Sequence, residues 1–212
     1  MWLSLFPLPD VVLFPGVLLP LHIFEPRYRA LVADALASDR RIGMVLLRSG
    51  WERDYEGRPP IHDVGSSGVI EHAVRLDDGR YNILLRGLER FRVVNEDHAR
   101  EYRRATIEPL HEPAIDEAER LAVYELRASL QSRLGLPVEA SAAERGSAAA
   151  EFVAMSNEDF VHNLAQYLDL EPIEKQALLE RGSLRLRAEA LVELLEMKTL
   201  EATLTGVPGV SH

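Results

Sequence analysis

Ser66 and Ser67 in the tetrapeptide GSSG, Lys175 and Lys198, and seven histidines are the side chains of this 212-residue sequence best suited to covalent or acid–base chemistry. Their spacing gives them little to work with. GSSG at 65–68 lacks the Gly-x-Ser-x-Gly turn that exposes a serine nucleophile. A Ser–Lys pair would have to use Lys175 or Lys198, both on expected acidic helices. No histidines stand at an HExxH or paired helical spacing for a metal. His62-Asp63 and His111-Glu112 are sequence neighbours, which on a strand sends the two side chains to opposite faces. Glu25 could form an acid–base pair with His22 or His72 only if the fold brought them together. No Gly-x-Gly and no Gly-Lys occurs, so neither a dinucleotide fingerprint nor a P-loop is present. The absence of cysteine removes disulfides, thiolate zinc sites, iron–sulfur clusters and cysteine nucleophiles together, and fits a reducing cytoplasm. The expectation is a non-enzymatic protein with no cofactor and no metal.

Binding chemistry has more to offer. Arg86, Arg90 and Arg92, with Arg80 nearby, form the only basic cluster on expected strands. They could line a groove that grips carboxylates or phosphates in a bidentate way, or form a solvated face balanced by Glu71, Asp77 and Glu89. The charge balance argues against polyanionic partners. Lys and Arg total 24 against 34 Asp and Glu, a net charge of −10. Such a chain repels nucleic acid at long range.

The elements that must position these residues fall into two classes. Leu3–Phe6 and Val17–Ile23 read as strands around a Pro15-Gly16 turn. Pro7, Pro9, Pro15 and Pro20 break up the apolar N-terminus, which lacks an early basic residue and is too short to span a membrane, so no membrane association is expected. Glu25–Ser38 reads as a helix with Pro26 in its first turn, and Arg41–Leu47 as a buried strand. Val69–Leu76 and Arg80–Leu85 flank Asp77-Asp78-Gly79, a hairpin signal. Gly87 interrupts the alternation before Glu89–Val94, suggesting a bulge or bend, and Tyr102–Leu110 closes the set. Six or seven short strands with one helix point to a small barrel or pseudo-barrel over residues 1–113.

The composition changes at Pro113, and a helical region is expected over 114–205. Its first helix places Leu121, Tyr124, Leu126 and Leu130 near one face. Ser- and Ala-rich 135–146 reads as a linker. Ser156 with Asp159 resembles a capping box, Glu171–Arg181 a short helix, and Ser183 the cap of a last helix. That helix carries a stripe of Leu184, Ala188, Leu191 and Leu195, which serves packing within the chain or a homodimer. The tail 206–212 is expected to be disordered.

VLFPG at 12–16, LPLHIFEPRYRAL at 19–31, RRIGMVLL at 40–47, DGRYNILLRGLERFRVV at 78–94 and YRRATIEPL at 102–110 together resemble the Lon protease N-terminal, substrate-binding domain family. EPIEKQALLE at 171–180 looks like the family's helical extension, and GSSG departs from its usual pattern. The resemblance implies an α+β fold, a PUA-like β pseudo-barrel followed by a helical subdomain. It also implies capture of unfolded or extended polypeptide, as an adaptor in quality control working with a separate protease. The chain would then be a stand-alone module without the ATPase and Ser–Lys protease parts. Phe14, Phe24, Glu25, Arg27 and Tyr28, in the most distinctive motifs, are the candidate peptide-binding residues. Arg86, Arg90 and Arg92 form the secondary groove, which an RNA-binding PUA-like protein would use instead.

Overall fold

The computed structural model describes residues 1–55, 57–97, 99–138 and 152–205. Most of the expected Ser/Ala-rich linker and the 206–212 tail lie outside the described residues. The described strands are β1 (Trp2–Leu8), β2 (Leu18–Ile23), β3 (Arg41–Leu46), β4 (Val64–Arg75), β5 (Tyr81–Asp97) and β6 (Arg103–Leu110). The helices are α1 (Pro26–Leu36), α2 (Glu117–Leu134), α3 (Asn157–Tyr167), α4 (Pro172–Leu179) and α5 (Leu184–Thr205). The fold is α+β, with the strands in one sheet ordered β2-β5-β4-β3-β1-β6.

Length makes β5 the hinge of this sheet. Its first part, Tyr81–Arg86, pairs with β2 on one side and β4 on the other. Its second part, Arg90–Asp97, pairs with β6, and β6 also pairs with β1. The sheet therefore closes on itself through β5, β4, β3, β1 and β6, removing most exposed edges. The bulge expected at Gly87 is present: between the pairs Gly68–Gly87 and Ser66–Arg90, β5 advances three residues where β4 advances two. Glycine is required there: a Cβ on Gly87 would stand 2.1 Å from the Phe14 carbonyl oxygen. Gly16 and Gly87 are locked together, Gly16 N–H donating to the Gly87 carbonyl at 2.9 Å and Gly87 N–H to the Val17 carbonyl at 2.9 Å.

Two compact units divide the chain. The first joins Met1–His111 to His162–Glu180; the second holds the described residues of Glu112–Val161 and Arg181–His212. The composition change at Pro113 lies beside the first division. The return of His162–Glu180 to the strands leaves no mark in composition, and single polar contacts join it to them. Phe14 N–H donates to Gln166 Oε1 (3.2 Å), Tyr167 hydroxyl to the Leu18 carbonyl (2.8 Å), and Gln176 Nε2 to the Val64 carbonyl (3.0 Å). His162 Nδ1 lies 3.0 Å from the Pro15 carbonyl. The first unit's core holds two apolar clusters, one centred on Leu13, Tyr28, Leu31 and Leu85, the other on Leu5, Phe91 and Ile107.

In the second unit α2 packs against α5. The expected α2 stripe needs correction. Leu121 and Tyr124 are exposed, while Val123, Arg127, Leu130 and Gln131 are buried. Arg127 turns the helix this way. Its guanidinium sits over Phe160 at 4.6 Å and donates to the carbonyls of Phe152, Val153 and Met155. On α5, Leu184, Ala188 and Leu191 are buried, so these positions are already used in intramolecular packing. Ser183 Oγ accepts from Leu186 N–H as expected of a cap.

Candidate functional site

The residues around the start of α1 form one connected cluster. Pro26 sets the first turn, and Glu25 before it is extended (φ −65°, ψ 135°), as a residue preceding proline must be. The Glu25 carboxylate does not cap the helix. It accepts from Arg27 Nε at 3.0 Å and from the Tyr55 hydroxyl at 2.5 Å. Arg27 lies between two rings, its guanidinium carbon 4.7 Å from the Tyr28 centroid and 4.9 Å from that of Tyr55. Arg27 Nη1 also donates to the Tyr55 carbonyl (3.1 Å), which ties the 50–60 loop to the helix. Tyr28 is buried, its hydroxyl 3.4 Å from the Pro7 carbonyl and its ring against Phe6.

Beside this cluster opens a cavity of about 280 Å³ whose walls include Arg27, Tyr28, Arg58, Arg100, Tyr102 and Arg103. Arg103 is buried, donating to the Pro59 carbonyl (2.5 Å) and lying 3.5 Å from Glu96. Arg58 donates to the Asp97 carbonyl at 2.9 Å. Arg100 lies 3.6 Å from Asp34, which also accepts from the Tyr102 hydroxyl at 2.6 Å.

Burial holds the Arg103 pKa below its ordinary value; Glu96 opposes this, while Arg58 and Arg27 add to it. The group stays cationic at physiological pH. Burial raises the Tyr28 and Tyr55 hydroxyls, with Glu25 adding to both. Burial also works against the Arg27 charge, but Tyr28 and Glu25 outweigh it and hold its pKa above the ordinary value. The cluster can hold an anion and an aromatic or apolar stem.

The family model of the ATP-dependent protease La (LON) substrate-binding domain matches residues 2–197. The chain belongs to this family. Lon protease 2 of Myxococcus xanthus is 30% identical over 92% of this chain, and Lon protease of Escherichia coli 25% identical over 90%. In both relatives the match takes in 24% of the relative's length, so the Lon-family chain described here spans about a quarter of them. Among solved structures, the N-terminal domain of a Mycobacterium avium complex Lon protease superposes with TM-score 0.68 at 16% identity, covering 92% of this chain and 98% of that one. A Lon N-terminal domain protein from Xanthomonas campestris gives 0.60 at 24% identity, covering 91% and 98%. These likenesses show the fold.

Within this Lon-family domain the candidate residues separate. Glu25, Arg27 and Tyr28 lie together, and Arg27 and Tyr28 reach the cavity. Phe24 is 60% exposed and stacks beside His22. Phe14 is a correction: at 0% exposure it offers a peptide no surface, because α3 residues cover its loop. The strand arginines do not form a groove. Arg90 is buried and donates to the Leu179 carbonyl at 3.0 Å, capping the C-terminal turn of α4. Arg86 is engaged by Glu71, and Arg92 is exposed.

The acid–base options are not assembled either. His22 faces Asn82 and Arg80, and Glu25 faces Arg27 and Tyr55. Ser66 and Ser67 are buried, with both hydroxyls on the Glu89 carbonyl. Tyr55, Arg58, Arg100 and Arg103 escaped the sequence reading. The signal available was the density of Tyr and Arg in the polar segments 51–60 and 98–104, since loops on a rigid scaffold often carry binding residues.

Proposed function

We propose that this domain captures unfolded or extended polypeptide without catalysing a reaction, and passes it to a protease in the cytoplasm. The observation that carries the reading is Phe24, a large aromatic left 60% exposed directly before the rigid Glu25–Arg27–Tyr55 cluster and its cavity. An exposed aromatic anchored on a stiff support binds at low entropic cost. The chain's membership of a substrate-binding domain family supports the same reading. Strand addition is the weaker mode, because Pro20 and the Tyr167 hydroxyl on the Leu18 carbonyl blunt the outer side of β2. Among the described residues, no helix is long and apolar enough to cross a membrane.

Fluorescence anisotropy with a dye-labelled unfolded polypeptide tests the proposal, with a labelled RNA in parallel at two salt concentrations. Saturable polypeptide binding without cleavage is expected. Phe24→Ala should weaken it while leaving the melting temperature unchanged, since exposed substitutions cost within about 0.5 kcal/mol. RNA binding with steep salt dependence, and none to polypeptide, would overturn the reading.

A further inference from the structure

Four of the cavity's wall residues are arginines in a chain whose net charge is −10. Among the described wall residues, Glu101 is the one carboxylate. The arginines' own acidic partners sit outside the wall and are engaged at a distance or shared. Arg103 is 3.5 Å from Glu96, Arg100 is 3.6 Å from an Asp34 that already holds the Tyr102 hydroxyl, and Arg58 donates to a neutral backbone carbonyl. Among the described residues, only Arg27 of these arginines is closely paired, with Glu25 at 2.9 Å. Arg103 is desolvated and repelled by Arg58 and Arg27, a state that an incoming anion would relieve.

Size narrows the anion. At roughly 30 Å³ of liquid volume per water, a cavity of about 280 Å³ admits a carboxylate with a short stem. It lies just below the common range for whole small-molecule ligands, about 300–1,000 Å³. A polyanion would in addition meet the acidic remainder of the chain.

We propose that this arginine-walled cavity is a carboxylate site that takes the acidic side chain or the chain-terminal carboxylate of the captured polypeptide. The inference rests on the polypeptide-capture reading and adds the chemical group that is read. Guanidinium forks suit a planar carboxylate, and the rings of Tyr28 and Tyr102 give the stem a flat wall. Arg27, already oriented by Glu25 and Tyr55, is pre-set to receive the ligand.

The test uses three unfolded peptides of one sequence carrying an uncharged dye: one with a free C-terminal carboxylate, one amidated, and one amidated with an internal Asp. A carboxylate-bearing peptide should bind at least tenfold tighter than the plain amide, about 1.4 kcal/mol. Which of the two wins identifies the source of the carboxylate. Arg100→Gln, at a side chain 54% exposed, should erase the preference for the carboxylate-bearing peptide and leave the melting temperature intact. Equal binding of all three peptides would overturn the carboxylate site and leave polypeptide capture standing. Binding of none would overturn both. Competition by inorganic phosphate at concentrations where acetate has no effect would overturn it in favour of a phosphate site.

Discussion

Tyr55→Phe removes one oxygen atom and nothing else from the cluster at the start of α1. The ring stays, so its contact with the Arg27 guanidinium at 4.9 Å is retained. The backbone carbonyl that accepts from Arg27 also stays. What is lost is the hydroxyl donated to Glu25 Oε1 at 2.5 Å, a hydrogen bond to a charged acceptor. Such bonds contribute about 1.5–3 kcal/mol. Glu25 keeps Arg27 as a partner and its side chain is 18% exposed, so water can replace part of the loss. The expected cost is therefore about 1–1.5 kcal/mol, at or just below the lower limit of that range. At about 2–4 °C per kcal/mol for a chain of this size, the melting temperature should fall by roughly 2–6 °C.

Urea unfolding of Tyr55→Phe, Glu25→Gln and the double variant would then give the coupling directly, with an expected interaction of about 1 kcal/mol. A melting shift below about 1 °C, with single-variant effects that simply add, would refute the argument. It would mean that the 50–60 loop is not held to α1 through this hydroxyl.

Three further outcomes follow from the packing. Phe14→Ala should destabilise by about 3–5 kcal/mol, the usual cost of emptying a buried phenylalanine site, seen as an early unfolding midpoint; a wild-type midpoint with lost peptide binding would return Phe14 to the binding surface. Gly87→Ala forces a Cβ against the Phe14 carbonyl and should cost about 1–3 kcal/mol or more, measured by chemical denaturation, whereas Gly182→Ala, where a Cβ meets nothing within 4 Å, should be near neutral. Tyr28, Tyr55 and Tyr102 all have hydroxyls raised above their ordinary value, chiefly by burial. Their contribution is fully present below the unfolded tyrosine pKa of about 10 and is lost as pH rises through the higher folded values. The urea midpoint should thus fall at strongly alkaline pH, and a midpoint flat to the alkaline limit would contradict it.

The strands and most helix ends were legible because local rules set them. Pro26 in the first turn marks α1, Asp77-Asp78-Gly79 marks the β4–β5 hairpin, and Ser156 does accept from Asp159 N–H at 3.0 Å. Gly87 was legible as a disturbance, but not as a close approach to the Phe14 carbonyl within a single 17-residue strand. The α2 face was misread because Arg127 is the buried residue, and an apolar period cannot anticipate a cation satisfied by three carbonyls. The site was half legible. EPRY placed Glu25, Arg27 and Tyr28, whereas Tyr55, Arg58, Arg100 and Arg103 come from segments that only the barrel's closure brings beside them.

The contacts between His162–Glu180 and the strands bear on how the protein is made. Phe14 N–H waits for Gln166, which is 152 residues later in the chain. A ribosome that has finished β6 at Leu110 must still add about 70 residues before α4 is complete, which at ~5–20 residues per second takes roughly 4–14 s. During that interval the Phe14 loop and the Arg90 guanidinium lack their lids, and the barrel is a nascent chain with an open seam. A fragment ending near His111 would be held permanently in that state, and a chaperone should distinguish it from the complete chain.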